Sequence, residues 1–154
     1  MEVNVRVNKI MNVKIKKLNK KAVIPTRGSK DAAGYDLYAC IENKITINPH
    51  ETVKIPTGFS AEMRPGTVAL IYSRSGLATK KGLVVCQGTG VIDSDYRGEW
   101  FIPLHNDTNI VQTIVPGKRI AQVMFTDFIV PDFKEVEKLD NTERGGSGFG
   151  STDR

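Results

Sequence analysis

The sequence contains few residues of the kinds that bind metals or form disulfides. Among 154 residues there are two cysteines, Cys40 and Cys86, and two histidines, His50 and His105. The cysteines lie in strand-like runs without the spacing of metal ligands, so we expect reduced core thiols in a cytoplasmic protein. The histidines are far apart in the sequence, and no cluster of cysteine and histidine indicates a zinc site.

Long hydrophobic runs are absent as well. No segment approaches the roughly 18 apolar residues that a membrane span needs, and charges interrupt the N-terminal region, which lacks the apolar centre of a signal peptide. We therefore expect no membrane partner. The hydrophobic fraction of 40% is nevertheless sufficient for a buried core, and the length predicts a single domain over residues 1–154.

Positive charge is concentrated near the N-terminus. The net charge is +5, and residues 1–21 carry seven basic residues against Glu2 alone. A nucleic-acid interface would combine this patch with aromatic residues, which residues 1–21 lack, so a solvated strand face is favoured and nucleic acid is disfavoured as a partner. Residues 1–10 are expected to be an extension outside the catalytic core, because Met11 could itself start the chain.

Short strand-like runs separated by turn signals fill the sequence. Valines alternate with polar residues in the first seven positions, and pairs such as Asn48-Pro49 and Pro116-Gly117 lie between later runs. This spacing predicts an all-β sandwich, jelly roll or barrel. Beyond residue 15, the predicted strands cover residues 35–41, 44–47, 52–55, 59–63, 67–72, 83–86, 100–104, 110–114, 120–130 and 133–136.

One short helix is expected over residues 73–82. Ser73 is a candidate N-cap, and Gly82 is placed to end the helix. The N-terminus of this helix would present free N–H groups beside Arg74 and Ser75, as an anion site requires. Taken alone, a plain strand-to-helix turn is the simpler interpretation.

Residues 90–98 form the most informative segment, Gly-Val-Ile-Asp-Ser-Asp-Tyr-Arg-Gly. Strand-like runs precede and follow it, which predicts a β-hairpin with two carboxylates, a tyrosine and an arginine at its tip. Such a tip could supply a base, a stacking surface and backbone hydrogen bonds to a small polar ligand. A solvated acidic turn is the alternative.

Residues 144–152 form a glycine-rich tail, Arg-Gly-Gly-Ser-Gly-Phe-Gly-Ser-Thr. This composition fits neither strand nor helix, so residues 144–154 are expected to be flexible. Glycine backbone N–H groups, hydroxyls and an arginine are also donors for anionic oxygens. The tail is therefore either disordered or a lid that orders over a phosphate-bearing ligand.

Five segments in this order resemble the five motifs of the trimeric dUTP pyrophosphatases, the dUTPases. They are Ala33-Gly34-Tyr35-Asp36-Leu37, Arg74-Ser75-Gly76-Leu77-Ala78, residues 90–98, Gly117-Lys118-Arg119-Ile120-Ala121-Gln122 and residues 144–152. The resemblance implies a jelly-roll-like fold, a homotrimer with active sites shared between subunits, and hydrolysis of dUTP to dUMP and pyrophosphate with Mg²⁺. That reaction limits uracil in DNA and supplies dUMP for dTTP synthesis.

The resemblance also implies roles for individual residues. Asp93 would hold the water that attacks the α-phosphorus, with Ser75 and Gln122 as the other catalytic residues. Asp36 would reach Mg²⁺ through water, while the triphosphate holds the metal. The implied substrate-binding residues are Arg74, Ser75, Gly76, Gln87, Gly90, Val91, Tyr96, Arg144, Phe149, Gly150, Ser151 and Thr152.

Two positions depart from the family's usual pattern. Gln87 stands where many members carry asparagine, and Ser73 stands where proline is more common before Arg74. A dCTP deaminase, with or without pyrophosphatase activity, shares the fold and is the nearest alternative. A regulatory protein that uses dUTP as a switch for a partner is an alternative of a different class.

Overall fold

The structure is a computed structural model that describes residues 10–148, and this part of the chain is almost entirely β. The single helix described is α1, Ser75–Lys81. The strands are β1 Lys14–Lys17, β2 Thr26–Arg27, β3 Tyr35–Tyr38, β4 Ile45–Ile47, β5 Thr52–Pro56, β6 Phe59–Glu62, β7 Thr67–Tyr72, β8 Leu83–Val85, β9 Thr89–Ile92, β10 Phe101–Asn106, β11 Gln112–Ile114 and β12 Arg119–Asp127. The predicted all-β class with one short helix is confirmed.

Two sheets hold the core between them. The larger has the strand order β2-β3-β12-β7-β9, the smaller has the order β5-β10-β8, and two further pairs are β1-β6 and β11-β4. Along β7 and β10, buried and half-buried residues alternate strictly, because successive side chains of a strand point to opposite faces. Buried residues of both sheets, including Leu37, Ile102, Leu104 and Val123, belong to one hydrophobic cluster.

The predicted hairpin at residues 90–98 is partly wrong. The runs on either side do pair, but Leu83–Val85 pairs with Leu104 to Asn106, the far end of β10. The first residues of the expected tip form β9, which pairs with β7 in the larger sheet. Three of the four residues of Thr89–Ile92 are half-buried and Val91 is exposed. Of the expected tip, only residues 93–98 remain as a loop.

The helix begins later than predicted. Arg74 is its N-cap residue and makes no capping hydrogen bond with its side chain. The hydroxyl of Ser73 instead accepts a hydrogen bond from the backbone N–H of Val85 at 2.8 Å, which ties the strand-to-helix turn to β8. Gly82 ends the helix in the left-handed region with φ 59°, as predicted.

Two further predictions need correction. Residues 133–136 are not a strand. Phe133 is 90% exposed, and no strand within residues 10–148 pairs with this segment. Cys86 is exposed in the turn after β8 instead of buried, although both cysteines are free, as expected. In residues 10–148 no helix has the length and hydrophobicity of a membrane span.

The basic strand near the N-terminus faces solvent. In β1 three of four residues are exposed, all of them lysines, and Lys14 pairs with Glu62 on the neighbouring strand at 2.7 Å. This agrees with the interpretation of a solvated strand face. The alternating valines at positions 3, 5 and 7 lie outside the described residues.

Candidate active site

A row of polar residues crosses the larger sheet at one end of its strands. The pairing registers place Asp36 opposite Gln122, and Gln122 opposite Tyr72. Thr26 lies beyond Asp36, and Thr89 lies beyond Tyr72. Residues directly opposite each other on antiparallel strands project to the same face. The sheet therefore brings Asp36 and Gln122, which come from distant motifs, side by side.

Asp36 is the centre of a cluster of opposite charges. Its Oδ1 accepts a hydrogen bond from Nε of Arg74 at 2.7 Å, and its Oδ2 accepts one from Nη1 of Arg119 at 3.2 Å. The Asp36 side chain is only 14% exposed, whereas that of Arg119 is half exposed. Two guanidinium groups against one carboxylate leave a net positive charge, which suits a phosphate-bearing ligand.

Arg119 is a candidate site residue that sequence reasoning did not assign. It lies in the same motif as Gln122, three positions earlier, and starts β12. The register of β12 shifts between Arg119 and Ala121, so Arg119 pairs with Tyr38 while Gln122 pairs with Asp36. Only the sheet register reveals that its guanidinium reaches Asp36.

Gln122 fixes the backbone at the start of the helical motif. Its Nε2 donates to the carbonyl oxygen of Ser73 at 3.0 Å. Its Oε1 lies against Gly34, where an added Cβ would come within 2.6 Å of that oxygen. The absence of a side chain at position 34 thus lets Gln122 reach across to Ser73, and this contact positions Arg74.

The first turn of α1 completes this cluster, which we call the phosphate cluster (Asp36, Arg74, Ser75, Arg119 and Gln122). Ser75 and Gly76 are exposed beside Arg74, and a Cβ at Gly76 would meet no other atom within 4 Å. Because the first N–H groups of a helix have no partner within the helix, the Ser75 hydroxyl and nearby backbone donors are available to an anion.

A second group of predicted residues lines a pocket of about 200 Å³. Gln87, Gly90, Val91 and Tyr96 all lie in its wall, and we call it the nucleoside pocket. The remaining lining residues include the core residues Ile71, Val85 and Trp100, together with Lys54, Ile92, Glu99, Phe101 and Pro103. Its wall is therefore largely apolar with a few polar groups, which is typical of a small-molecule site.

Tyr96 is held over a glycine at the mouth of this pocket. Its hydroxyl donates to the carbonyl oxygen of Glu99 at 3.2 Å. A Cβ on Gly98 would lie 2.3 Å from the tyrosine oxygen, so the ring occupies the space that any side chain at position 98 would fill. The backbone N–H of Tyr96 donates to the carbonyl oxygen of Asp93 at 3.2 Å, which closes the turn.

The Asp93 carboxylate is exposed in that turn. Within residues 10–148 it accepts no hydrogen bond from a side chain or backbone group. It is therefore free to bind a water molecule.

The phosphate cluster and the nucleoside pocket are separate in one chain. No residue of the phosphate cluster lines the nucleoside pocket. Within residues 10–148, no hydrogen bond joins Asp93 or Tyr96 to the phosphate cluster. Arg144 is exposed and donates to the carbonyl oxygen of Ser147 at 3.0 Å. The predicted tail residues Phe149, Gly150, Ser151 and Thr152 lie outside the described residues.

Comparisons with known proteins agree on one family. A dUTPase family model matches residues 20–153. The deoxyuridine 5'-triphosphate nucleotidohydrolase of Nautilia profundicola is 46% identical over 142 residues, which cover 92% of this chain and 99% of that protein.

Solved dUTPase structures have the same fold. A mutant dUTPase of Staphylococcus bacteriophage 80alpha, solved with dUpNHpp, matches with a TM-score of 0.83 and 30% identity over 92% of this chain and 98% of its own. A mutant dUTPase of phage phi11 of S. aureus, described with a structural Mg(II) ion, matches with a TM-score of 0.76 and 25% identity over 84% and 99% of the two chains.

Proposed function

This chain belongs to the dUTPase family and is a dUTP nucleotidohydrolase with the jelly-roll fold of that family; from this premise we propose how its residues bind and cleave dUTP. The observation that carries the proposal is the pocket lined together by Gln87, Gly90, Val91 and Tyr96, residues that sequence resemblance alone had assigned to the substrate. The nucleoside pocket receives deoxyuridine, and the phosphate cluster receives the triphosphate.

Selection of the nucleoside rests on shape and on backbone hydrogen bonds. The ring of Tyr96 packs against deoxyribose and leaves no room for a 2′-hydroxyl. Backbone N–H and carbonyl groups near Gly90 and Val91 pair with the uracil edge, and Gln87 stands close enough to contribute its amide. Once a bound base covers these groups, a wrong base would leave them unpaired, which is how polar sites discriminate strongly.

The chemical step is an in-line attack of water on the α-phosphorus. The Asp93 carboxylate orients the water and accepts its proton, a new phosphorus–oxygen bond forms, and the bond to the bridging oxygen breaks as pyrophosphate leaves. Arg74 stabilises negative charge that develops on the phosphates, and the Ser75 hydroxyl donates to the departing oxygen. Gln122 holds the Ser73 carbonyl, so that Arg74 and Ser75 keep their places.

Magnesium fits the phosphate cluster as a partner of the triphosphate. Both Asp36 oxygens already accept a hydrogen bond from arginine, but each has a further lone pair for a metal-bound water. Mg²⁺ keeps several waters and binds phosphate oxygens readily. When bound, it would neutralise charge on the triphosphate; Asp36 would hold it through water.

We propose a homotrimer in which each active site combines residues from different subunits. Two observations support it: the phosphate cluster and nucleoside pocket are separate within one chain, and large hydrophobic side chains after β12 are uncovered. Ile129 is 89%, Val130 78%, Phe133 90% and Leu139 79% exposed. Exposed apolar surface of this extent is typical of a protein interface.

The glycine-rich tail closes the assembled site. Arg144 would pair with the γ-phosphate, Phe149 would stack on uracil, and Gly150, Ser151 and Thr152 would cover the triphosphate. Closure excludes water other than the nucleophile and completes the set of donors.

In the cell this activity would limit uracil in DNA and supply dUMP. We assign it to the cytoplasm, a reducing compartment, because Cys40 and Cys86 are free.

The experiment that tests the proposed function is pyrophosphate release from dUTP, dTTP, dCTP and UTP, each with Mg²⁺ and with EDTA. We expect release from dUTP only, and only with Mg²⁺. Ammonia release from dCTP would instead support the deaminase alternative. Tight dUTP binding without release would support a nucleotide-dependent regulator.

A further inference from the structure

Both histidines of the sequence lie in one surface cluster with Asp107. His50 lies in the turn between β4 and β5, His105 in β10, and Asp107 directly after β10. One ligand atom from each residue lies within 4.8 Å of the other two. We propose that His50, His105 and Asp107 form a binding site for a divalent transition-metal ion of the zinc type. This site is separate from the phosphate cluster, whose Asp36 and Gln122 belong to the larger sheet.

The hydrogen bond of the first imidazole leaves one ring nitrogen free for a metal. Nε2 of His50 lies 2.9 Å from Oδ1 of Asn109. An amide oxygen only accepts hydrogen bonds, so Nε2 carries the proton in the neutral ring. The lone pair of Nδ1 is therefore available to an ion.

The second imidazole is oriented in the same way by Thr52. Nδ1 of His105 lies 2.9 Å from the Thr52 hydroxyl, which also lies 3.7 Å from Sγ of Cys86. In the tautomer that carries its proton on Nδ1, His105 donates to Thr52, the hydroxyl donates to Cys86, and the lone pair of Nε2 is free for a metal. Metal-binding histidines usually donate their other N–H to an oxygen in this manner, which fixes both tautomer and ring orientation.

A buried asparagine connects the two backbone segments that carry the histidines. Asn106, the residue between His105 and Asp107, is fully buried, and its side-chain amide donates to the carbonyl oxygens of Asn48 at 3.1 Å and Ile110 at 2.8 Å. Its own carbonyl accepts the backbone N–H of His50 at 2.9 Å. The turn that bears His50 is thus fixed against the strand that bears His105 before any metal arrives.

The donor set favours a zinc-type ion over magnesium. Imidazole nitrogen suits zinc, copper, nickel and iron, whereas Mg²⁺ takes oxygen ligands. Zinc binds such ligands at metal–ligand distances of about 2.0–2.2 Å, so the three ligand atoms must move closer to one another by on the order of 1 Å when the ion binds. His50 and Asp107 are exposed and can rotate inward, and water completes the coordination.

The test uses the full-length, nucleotide-free protein after treatment with EDTA. Calorimetric titration with Zn²⁺ should give one ion per chain, and Co²⁺ should produce visible absorption bands from coordinated nitrogen. His50→Asn and His105→Gln should each weaken Zn²⁺ binding by about tenfold or more and remove the Co²⁺ bands. Asp140→Asn, which removes an exposed carboxylate elsewhere, should bind as the wild type does.

The variants are chosen so that failure to fold does not decide the result. His50 has φ 58°, a conformation that asparagine adopts readily, and its side chain is exposed. Hydrolysis of dUTP with Mg²⁺, measured on the same samples, reports that each variant is folded and should not change. Absence of Zn²⁺ binding to the wild type, or equal binding by wild type and His50→Asn, would overturn the proposal.

Discussion

At the scale of single residues, the charge on Asp36 is shared between two arginines of unequal exposure. Arg74 was assigned to the substrate from the sequence, because it stands inside a recognisable motif. Arg119 was not, because its contact with Asp36 depends on a register shift in β12. Sequence patterns therefore identify residues by type and motif but do not reveal which distant side chains touch.

Arg119→Met tests the contribution of the second arginine. Removal of one of the two positive charges beside Asp36 should weaken the attraction for the triphosphate and raise KM for dUTP by about tenfold, with a smaller effect on kcat. Steady-state kinetics measures both. Lys118→Met is the matched control, since it removes a neighbouring positive charge that makes no contact with Asp36; equal effects of the two changes would contradict a specific role of Arg119.

Asp93→Asn tests the residue proposed to hold the attacking water. The amide retains the shape of the side chain but loses the negative charge and the proton acceptor, so kcat should fall by about 10²–10⁴ while KM changes little. Asp95→Asn, two positions away in the same exposed loop, should retain most activity. Near-normal turnover by Asp93→Asn would show that another group orients the water.

At the scale of secondary structure, the strands made of apolar runs that follow a clear turn signal were predicted well. The predicted strand at residues 67–72 coincides with β7. Thr26–Arg27 gave no signal, because its two residues are polar and exposed and form a strand only through pairing with β3. The run at residues 133–136 was wrongly predicted to be a strand, since a local run of strand-like residues cannot supply a partner strand. Local sequence patterns indicate which segments can form strands. Whether a segment does so depends on a partner strand from elsewhere in the fold.

The end of α1 offers a stability test with an internal control. Gly82 has φ 59°, and a Cβ there would lie 2.2 Å from Cγ2 of Thr108. Gly66 has φ 79° with no atom near the added Cβ. Gly66→Ala should cost about 1–2 kcal/mol of unfolding free energy from conformation alone. Gly82→Ala should cost about 1–3 kcal/mol more, from the collision.

Urea denaturation at one fixed protein concentration measures both variants, because under the trimer proposal stability depends on concentration. If Gly66→Ala and Gly82→Ala lose the same unfolding free energy, the Thr108 side chain moves away from the added Cβ without an energetic cost.

At the scale of the whole molecule, the separation of the phosphate cluster from the nucleoside pocket agrees with the shared active sites that the family resemblance implied, but the residues of one sequence could not predict it by themselves. Motif order along the chain says nothing about which motifs face each other in space. For the same reason, the sequence did not reveal the cluster of His50, His105 and Asp107. These residues come together only because β10 pairs with β5, which is distant in the sequence.

Removal of residues 144–154 tests the tail without disturbing the body of the protein. Residues 144–147 of this segment are exposed and make only local hydrogen bonds. Turnover of dUTP should be lost, because the γ-phosphate and uracil lose their cover, while sedimentation should still report a trimer. A truncated protein that sediments as a monomer would show that the tail holds subunits together.

The uncovered side chains of Ile129, Val130 and Phe133 lead to a further prediction about dilution. Under the trimer proposal, a dissociated chain carries halves of two different sites and no complete one, so specific activity should fall as total protein is lowered through the dissociation range. Over a dilution series, the reaction rate should therefore fall more steeply than the total enzyme concentration. A strictly proportional rate at every dilution would mean that the working unit does not dissociate.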